Sequence, residues 1–157
     1  MILPHNCLIL VTDGRKMLML RNKGSGERIE LRTERHEMRE DRKDREIKTD
    51  APGLTGQSAG FGRPAMQEPD YHQLDEDRWA AETAKTINMR ALAHDFEQLV
   101  VIAPPKTMGE LRGHWHKEVE QRIVAEVTKE MTDRPVPEIE ALLRGESAPP
   151  AGGGKQD

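Results

Sequence analysis

The chain has 157 residues, of which 35% are hydrophobic and 33% charged, and it carries a formal net charge of −4. That length suits one domain whose apolar residues are concentrated in a few elements, and the acidic balance supplies no global positive field for nucleic acid or an anionic membrane. No apolar run approaches the roughly 18 residues that cross a membrane, and Met1 to His5 lacks the basic and apolar regions of a secretory signal, so the expected location is the cytoplasm.

Cys7 to Val11 is a short apolar run that predicts a buried strand, with Cys7 as a reduced, buried thiol rather than a nucleophile. Thr12-Asp13-Gly14 supplies a tight reversal, so Lys16 to Arg21 returns as a second strand. After a turn at Asn22 to Gly26, the alternation from Arg28 to Thr33 predicts a third, half-exposed strand. From Glu34 to Lys48 acidic and basic residues alternate with few apolar positions, the pattern of a solvated segment or of a docking surface. With the residues that follow, it makes a long loop over 37–72, and loops of that length are generally functional or disordered.

Asp75 is the expected cap of a helix whose stripe is Trp79, Thr83, Ile87 and Leu92, with Glu76 and Asp77 in its first turn. Leu99 to Ala103 is the strongest strand signal, apolar throughout as in a strand buried on both faces. Pro104-Pro105 ends it. Short helices are predicted over Thr107 to Arg112 and Trp115 to Gln121, a strand over Arg122 to Lys129 and a closing helix over Pro135 to Leu143. The prediction is a single α/β domain over 1–144, with a mixed sheet of five strands. Its N-terminal antiparallel three-stranded meander is followed by helix-strand units, and 145–157 forms a disordered Ala-, Pro- and Gly-rich tail.

The long loop contains Gly53, Gly56, Gly60 and Gly62 in close succession, and glycine lets another molecule approach the main chain. Gly53, Thr55, Gly56, Gln57, Ser58, Gly60, Phe61, Gly62 and Arg63 are the expected binding loop. Phe61 is either a contact residue or a pin that ties the loop to the core. The loop lacks the lysine and strand-helix setting of a phosphate cradle, and Ser58 lacks the sharp turn of a hydrolase nucleophile. No cofactor is expected. No metal is expected either, because His114 and His116, two apart, face different sides of a helix. Only 3% of the residues are aromatic, so base stacking has few candidates.

Taken as ordered blocks, Val11-Thr-Asp-Gly-Arg15, Asp50-Ala-Pro-Gly53, Ser58-Ala-Gly-Phe-Gly-Arg63, Leu99-Val-Val-Ile-Ala-Pro-Pro105, Gly109-Glu-Leu-Arg112 and Glu126-Val-Thr-Lys-Glu-Met-Thr132 resemble the bacterial host-attachment protein family. That family is similar in turn to the middle domain of archaeal and eukaryotic peptide-chain release factors. The resemblance implies a release-factor-like fold and a loop comparable to the Gly-Gly-Gln tip that helps water attack the peptidyl-tRNA ester. Thr55-Gly56-Gln57-Ser58-Ala59 matches the second Gly, the Gln, the Ser and the Ala, with Thr55 in the place of the first Gly. A β-branched residue resists the positive φ that a glycine accepts there. The resemblance makes Gln57 the candidate catalytic residue, and with Thr55 in the first position the expected role is a binding module for ribosome-associated RNA or protein. The alternatives are ester hydrolysis through Gln57 in ribosome rescue, or a signalling or adhesion partner that acts indirectly in attachment.

Overall fold

The computed structural model describes residues 1–39 and 71–146. The binding loop from Gly53 to Arg63, Gln57 included, lies outside the described residues, as do most of the 37–72 loop and the tail beyond Glu146.

Five strands form one sheet in the order β3-β2-β1-β4-β5. They are β1 (Leu8–Thr12), β2 (Lys16–Asn22), β3 (Leu31–Met38), β4 (Leu99–Ala103) and β5 (Ile123–Thr128). The meander β1-β2-β3 is antiparallel, whereas β4 pairs parallel with both β1 and β5. The mixed α/β architecture expected from the sequence is the one observed. Every residue of β1 and of β4 is buried, as continuous apolar runs require.

The two faces carry separate cores. Leu8, Leu10, Met17, Met19, Leu99 and Val101 meet α1 (Tyr71–Leu92), α2 (Pro105–Arg112) and α3 (Lys117–Glu120). Ile9, Val11, Leu18, Leu20, Val100 and Ile102 meet Leu3, Ile29 and α4 (Val136–Leu143) on the other side. The alternation follows from the two-residue period of a strand, which sends neighbours to opposite faces.

Helix α1 begins before the expected cap, and Asp75 lies inside it, 8% exposed, with its carboxylate 3.9 Å from the Arg39 guanidinium. The first turn holds no acidic residue. The buried stripe is Ala80, Thr83, Ala84, Ile87 and Ala91, and alanines let the helix lie close to the sheet. Trp79 packs at the rim of this core, and Leu92 is 52% exposed.

The third strand is displaced from its expected span. Buried Asn22 donates from Nδ2 to the carbonyls of Leu3 and Pro4 and accepts at Oδ1 from the N–H groups of Gly24 and Glu30. This holds residues 23–30 as a folded turn. A Cβ on Gly24 would lie 1.9 Å from the Arg28 carbonyl oxygen, so the turn closes only around glycine. The strand then continues to Met38 through residues that the charge pattern assigns to the solvated segment. An edge strand needs no apolar face, and charged side chains there are a usual protection.

A bulge in β3 sets the other end of the sheet. Met19 faces Arg35 and Leu20 faces Thr33, leaving Glu34 as the extra residue, and bulges redirect side chains in this way. Glu34 accepts from Arg21 at 3.0 and 3.3 Å and from Arg90 at 3.0 Å. Asp95 accepts from the same two guanidinium groups at 3.0 and 2.9 Å. Arg21 also donates to the carbonyls of Asn6 and Asp95. Burial opposes ionisation of Glu34 and Asp95, but the bonds from the two arginines outweigh it and hold both carboxyls below their usual range.

Arg21→Leu leaves these carboxylates with one guanidinium, and the expected loss of stability is about 3 kcal/mol. Arg21→Lys recovers only part of it, because an ammonium cannot span two carboxylates and two carbonyls. Urea unfolding of the three proteins checks this, and equal midpoints for wild type and Arg21→Leu would contradict the assignment.

Candidate functional site at the carboxyl edge of the sheet

The parallel strands β1, β4 and β5 end on the same edge, and ligands of open α/β sheets generally meet the protein at such an edge. β3 also ends there, at Met38, opposite Lys16. Arg39, the last described residue before the 40–70 segment, donates from its backbone N–H to the Arg15 carbonyl at 2.8 Å and from Nε to the Gly14 carbonyl at 2.8 Å. The start of α1 returns to the same place. Trp79 Nε1 donates to the Lys16 carbonyl at 3.4 Å, and Lys106 Nζ donates to Gln73 Oε1 at 3.0 Å. A Cβ on Gly14 would sit 2.5 Å from the Glu76 side chain, so glycine permits the close approach of α1 to the β1–β2 turn. The two described ends of the chain that flank residues 40–70 are thus fixed beside one another.

Asp13 organises this edge. Its Oδ1 accepts from the N–H groups of Arg15 and Lys16 at 2.8 and 2.7 Å, and its Oδ2 accepts from Thr132 Oγ1 at 2.7 Å. The first pair closes the turn in the manner common to aspartate, and the second ties it to the connector between β5 and α4. Burial works against the charge, but these bonds win and keep the Asp13 carboxyl below its ordinary range.

Glu130 has the opposite environment. Burial, then a hydrogen bond and the charge of Asp13, push its carboxyl up to about 7, with Asp133 adding in the same direction. Thr132 Oγ1 lies 3.4 Å from Glu130 Oε2. One hydroxyl has one proton to donate, and it is directed at Asp13. The second carboxyl is therefore accommodated by holding a proton of its own, as expected for adjacent acids. Lys16 forms an ion pair with Asp133, leaving Asp13 and Glu130 to share the remaining charge.

The linkage has a definite sign. Between pH 4.5 and about 7 the folded protein keeps a proton on Glu130 that the unfolded chain has released, so this group makes stability fall as pH rises through that interval. Glu130→Gln, which cannot ionise, is expected to gain melting temperature relative to wild type across the same interval. Thermal melts at a series of pH values measure the difference, and a constant difference would contradict the shared proton.

The other sequence-derived candidates have structural roles. Cys7 is buried, and burial pushes its thiol up to about 11 despite Arg21, so it is not a thiolate nucleophile at neutral pH. His114 Nε2 lies 3.1 Å from Glu110 Oε2, and His116 caps α3 by accepting from the Glu118 N–H at 2.9 Å. Among the described residues no group of three or more His, Cys, Asp and Glu is placed to hold a metal ion. None of their helices is long and apolar enough to cross a membrane. Sequence reasoning took Asp13 only as a turn residue and missed its pairing with Glu130 and with Thr132, the latter 119 positions away. The acids around each turn were visible, but not their meeting.

A polar cavity of about 390 Å³ lies at the opposite edge, lined by His5, Lys23, His94 and the Arg21–Glu34–Asp95 network. Two of its residues, Asn6 and His94, have positive φ. His94 does so because it ends α1. Its N–H bonds the Ala91 carbonyl and that of Asp95 bonds Arg90, the pattern that closes many helices with a left-handed residue.

A five-stranded mixed sheet with an antiparallel meander and helices on both faces is the architecture of a release-factor-like α/β domain. Over residues 6–143 the chain matches the family described as bacterial archaeo-eukaryotic release factor family 12, and it belongs to that family. No curated protein matches it.

Proposed function

We propose that the protein is a translation-associated binding module whose 40–70 segment engages ribosome-associated RNA or protein from the carboxyl edge of the sheet. The family match carries this reading, and the fixing of both flanks of that segment beside Asp13 and Gly14 supports it. Gly53, Thr55, Gly56, Gln57, Ser58, Gly60, Phe61, Gly62 and Arg63 are the contact residues. Thr55 in place of a first glycine argues against the tip geometry that ester hydrolysis requires, so binding is placed ahead of catalysis. The cytoplasm is the compartment this reading requires.

The test is sedimentation of ribosomes with the wild-type chain and with a variant lacking Gly53 to Arg63. The expected result is co-sedimentation of wild type at low salt, weakening at moderate salt if phosphates are contacted, and loss in the deletion variant. Absence of the wild type from ribosomal fractions at low salt would remove the proposal. The sequence Thr55-Gly56-Gln57-Ser58-Ala59 supports one second reading, ester hydrolysis. Release of a labelled peptide from stalled ribosomes decides between them: equal rates for wild type and Gln57→Ala fit binding alone, and loss of release in Gln57→Ala assigns the chemistry to that residue.

A further inference from the structure

Strand β3 forms one margin of the sheet, and its residues are exposed or half-buried throughout. The side of its backbone that faces away from β2 follows from two hydrogen bonds. Arg39 N–H bonds the Arg15 carbonyl and Lys23 N–H bonds the Glu30 carbonyl, and antiparallel neighbours alternate between bonded and non-bonded pairs. Glu37, Arg35 and Arg32 therefore direct their backbone groups toward β2, while Leu31, Thr33, His36 and Met38 direct theirs outward. The Leu31 N–H is taken by Glu140 Oε2 at 2.8 Å, which confirms its outward direction. The outward groups of Thr33, His36 and Met38 have no backbone partner among the described residues.

The sequence of β3, Leu-Arg-Thr-Glu-Arg-His-Glu-Met, is complementary to its own reverse. Laid antiparallel against a second β3, with a two-fold axis between Glu34 and Arg35, it places Leu31 opposite Met38, Arg32 opposite Glu37, Thr33 opposite His36 and Glu34 opposite Arg35. The outward-directed residues fall opposite one another: Thr33 and His36 can exchange both backbone bonds, whereas Leu31, whose N–H is held by Glu140, offers Met38 only its carbonyl. The bulge does not spoil this register, because each copy carries its extra residue at the same place. Side chains agree as well. On the face shared with α1, Arg32 meets Glu37, which bonds Arg35 within one copy, while Glu34, opposite Arg35, stays with Arg21 and Arg90. On the other, the half-buried Leu31 meets Met38, which is 54% exposed in one copy.

We propose that β3 is a self-association edge, through which two copies of this chain pair antiparallel to make one continuous sheet. A two-fold interface uses the same patch on both copies, and opposite charges directly across an antiparallel pair favour it while like charges oppose it. Arg32 is an informative position, since it forms no ion pair among the described residues of one copy and gains Glu37 of the second copy on pairing. The same charges that keep foreign strands away are satisfied by this one partner and register.

Sedimentation-equilibrium measurement of the full chain over a concentration series at low salt tests the proposal. Wild type is expected to dimerise. Arg32→Glu sets two carboxylates against each other across the pair, and Glu37→Arg sets two guanidinium groups against each other, so each variant alone is expected to dimerise roughly tenfold more weakly. An equimolar mixture of the two restores opposite charges across the interface and is expected to form a heterodimer stronger than either variant's homodimer, and the double swap is expected to dimerise with itself near wild-type strength. Circular dichroism of each variant confirms that the fold is retained, and the mixture and the double swap keep the test independent of any single variant's folding. A wild type that stays monomeric at every concentration, or single variants that dimerise as wild type does, would overturn the proposal.

Discussion

The structure depends on two strands that cannot tolerate water on either side. Leu8 to Val11 and Leu99 to Ala103 are buried on both faces, and at about 1.5–3 kcal/mol for each large apolar side chain taken out of water no arrangement that leaves them at a margin competes. They lie side by side in the centre. Their parallel pairing requires a long crossover, which α1 supplies, and it sends the ends of β1 and β4 to the same edge. β2 and β3 extend the sheet on one side and β5 on the other, so Leu31 to Met38 and Ile123 to Thr128 form the margins, where little burial is required.

The two edges created by this arrangement differ in chemistry. At the amino edge, two arginines, two carboxylates and two backbone carbonyls satisfy one another, and the network joins β2, β3 and the end of α1. Such closure is suited to holding elements together. At the carboxyl edge the acids outnumber their partners, so Asp13 keeps its charge and Glu130 keeps a proton. That edge also receives both flanks of the 40–70 segment, one through Arg39 and the other through α1. The carboxyl edge thereby holds, in one place, the two described ends of the chain that flank residues 40–70.

Much of the fold was legible because local apolar runs fix it. The runs beginning at Cys7 and Leu99, and the Asp13-Gly14 reversal between β1 and β2, appear where their patterns place them. Where the reading departs, long-range contacts decide. Asn22 gathers groups from residues 3, 4, 24 and 30, shifting β3 along the chain, and no local pattern announces it. Asp75 looks like a cap because aspartate favours that position, yet the helix starts at Tyr71 and Asp75 lies inside it, facing Arg39 just past the end of β3. The candidate site divides in the same way: glycine density and the Thr55-Gly56-Gln57 sequence are local signals, whereas the meeting of Asp13 with Glu130 depends on β1 and β5 ending on one edge.

The central claim is that the carboxyl edge, with the segment anchored on it, is where this protein meets its partner. Hydrogen exchange of the full chain with and without ribosomes measures this directly, since amides covered by a partner exchange more slowly. Protection confined to residues 40–70 and to the Asp13–Lys16 and Glu130–Asp133 turns is the predicted result, and protection confined to the amino edge around Arg21 and His94, or none anywhere, would contradict it.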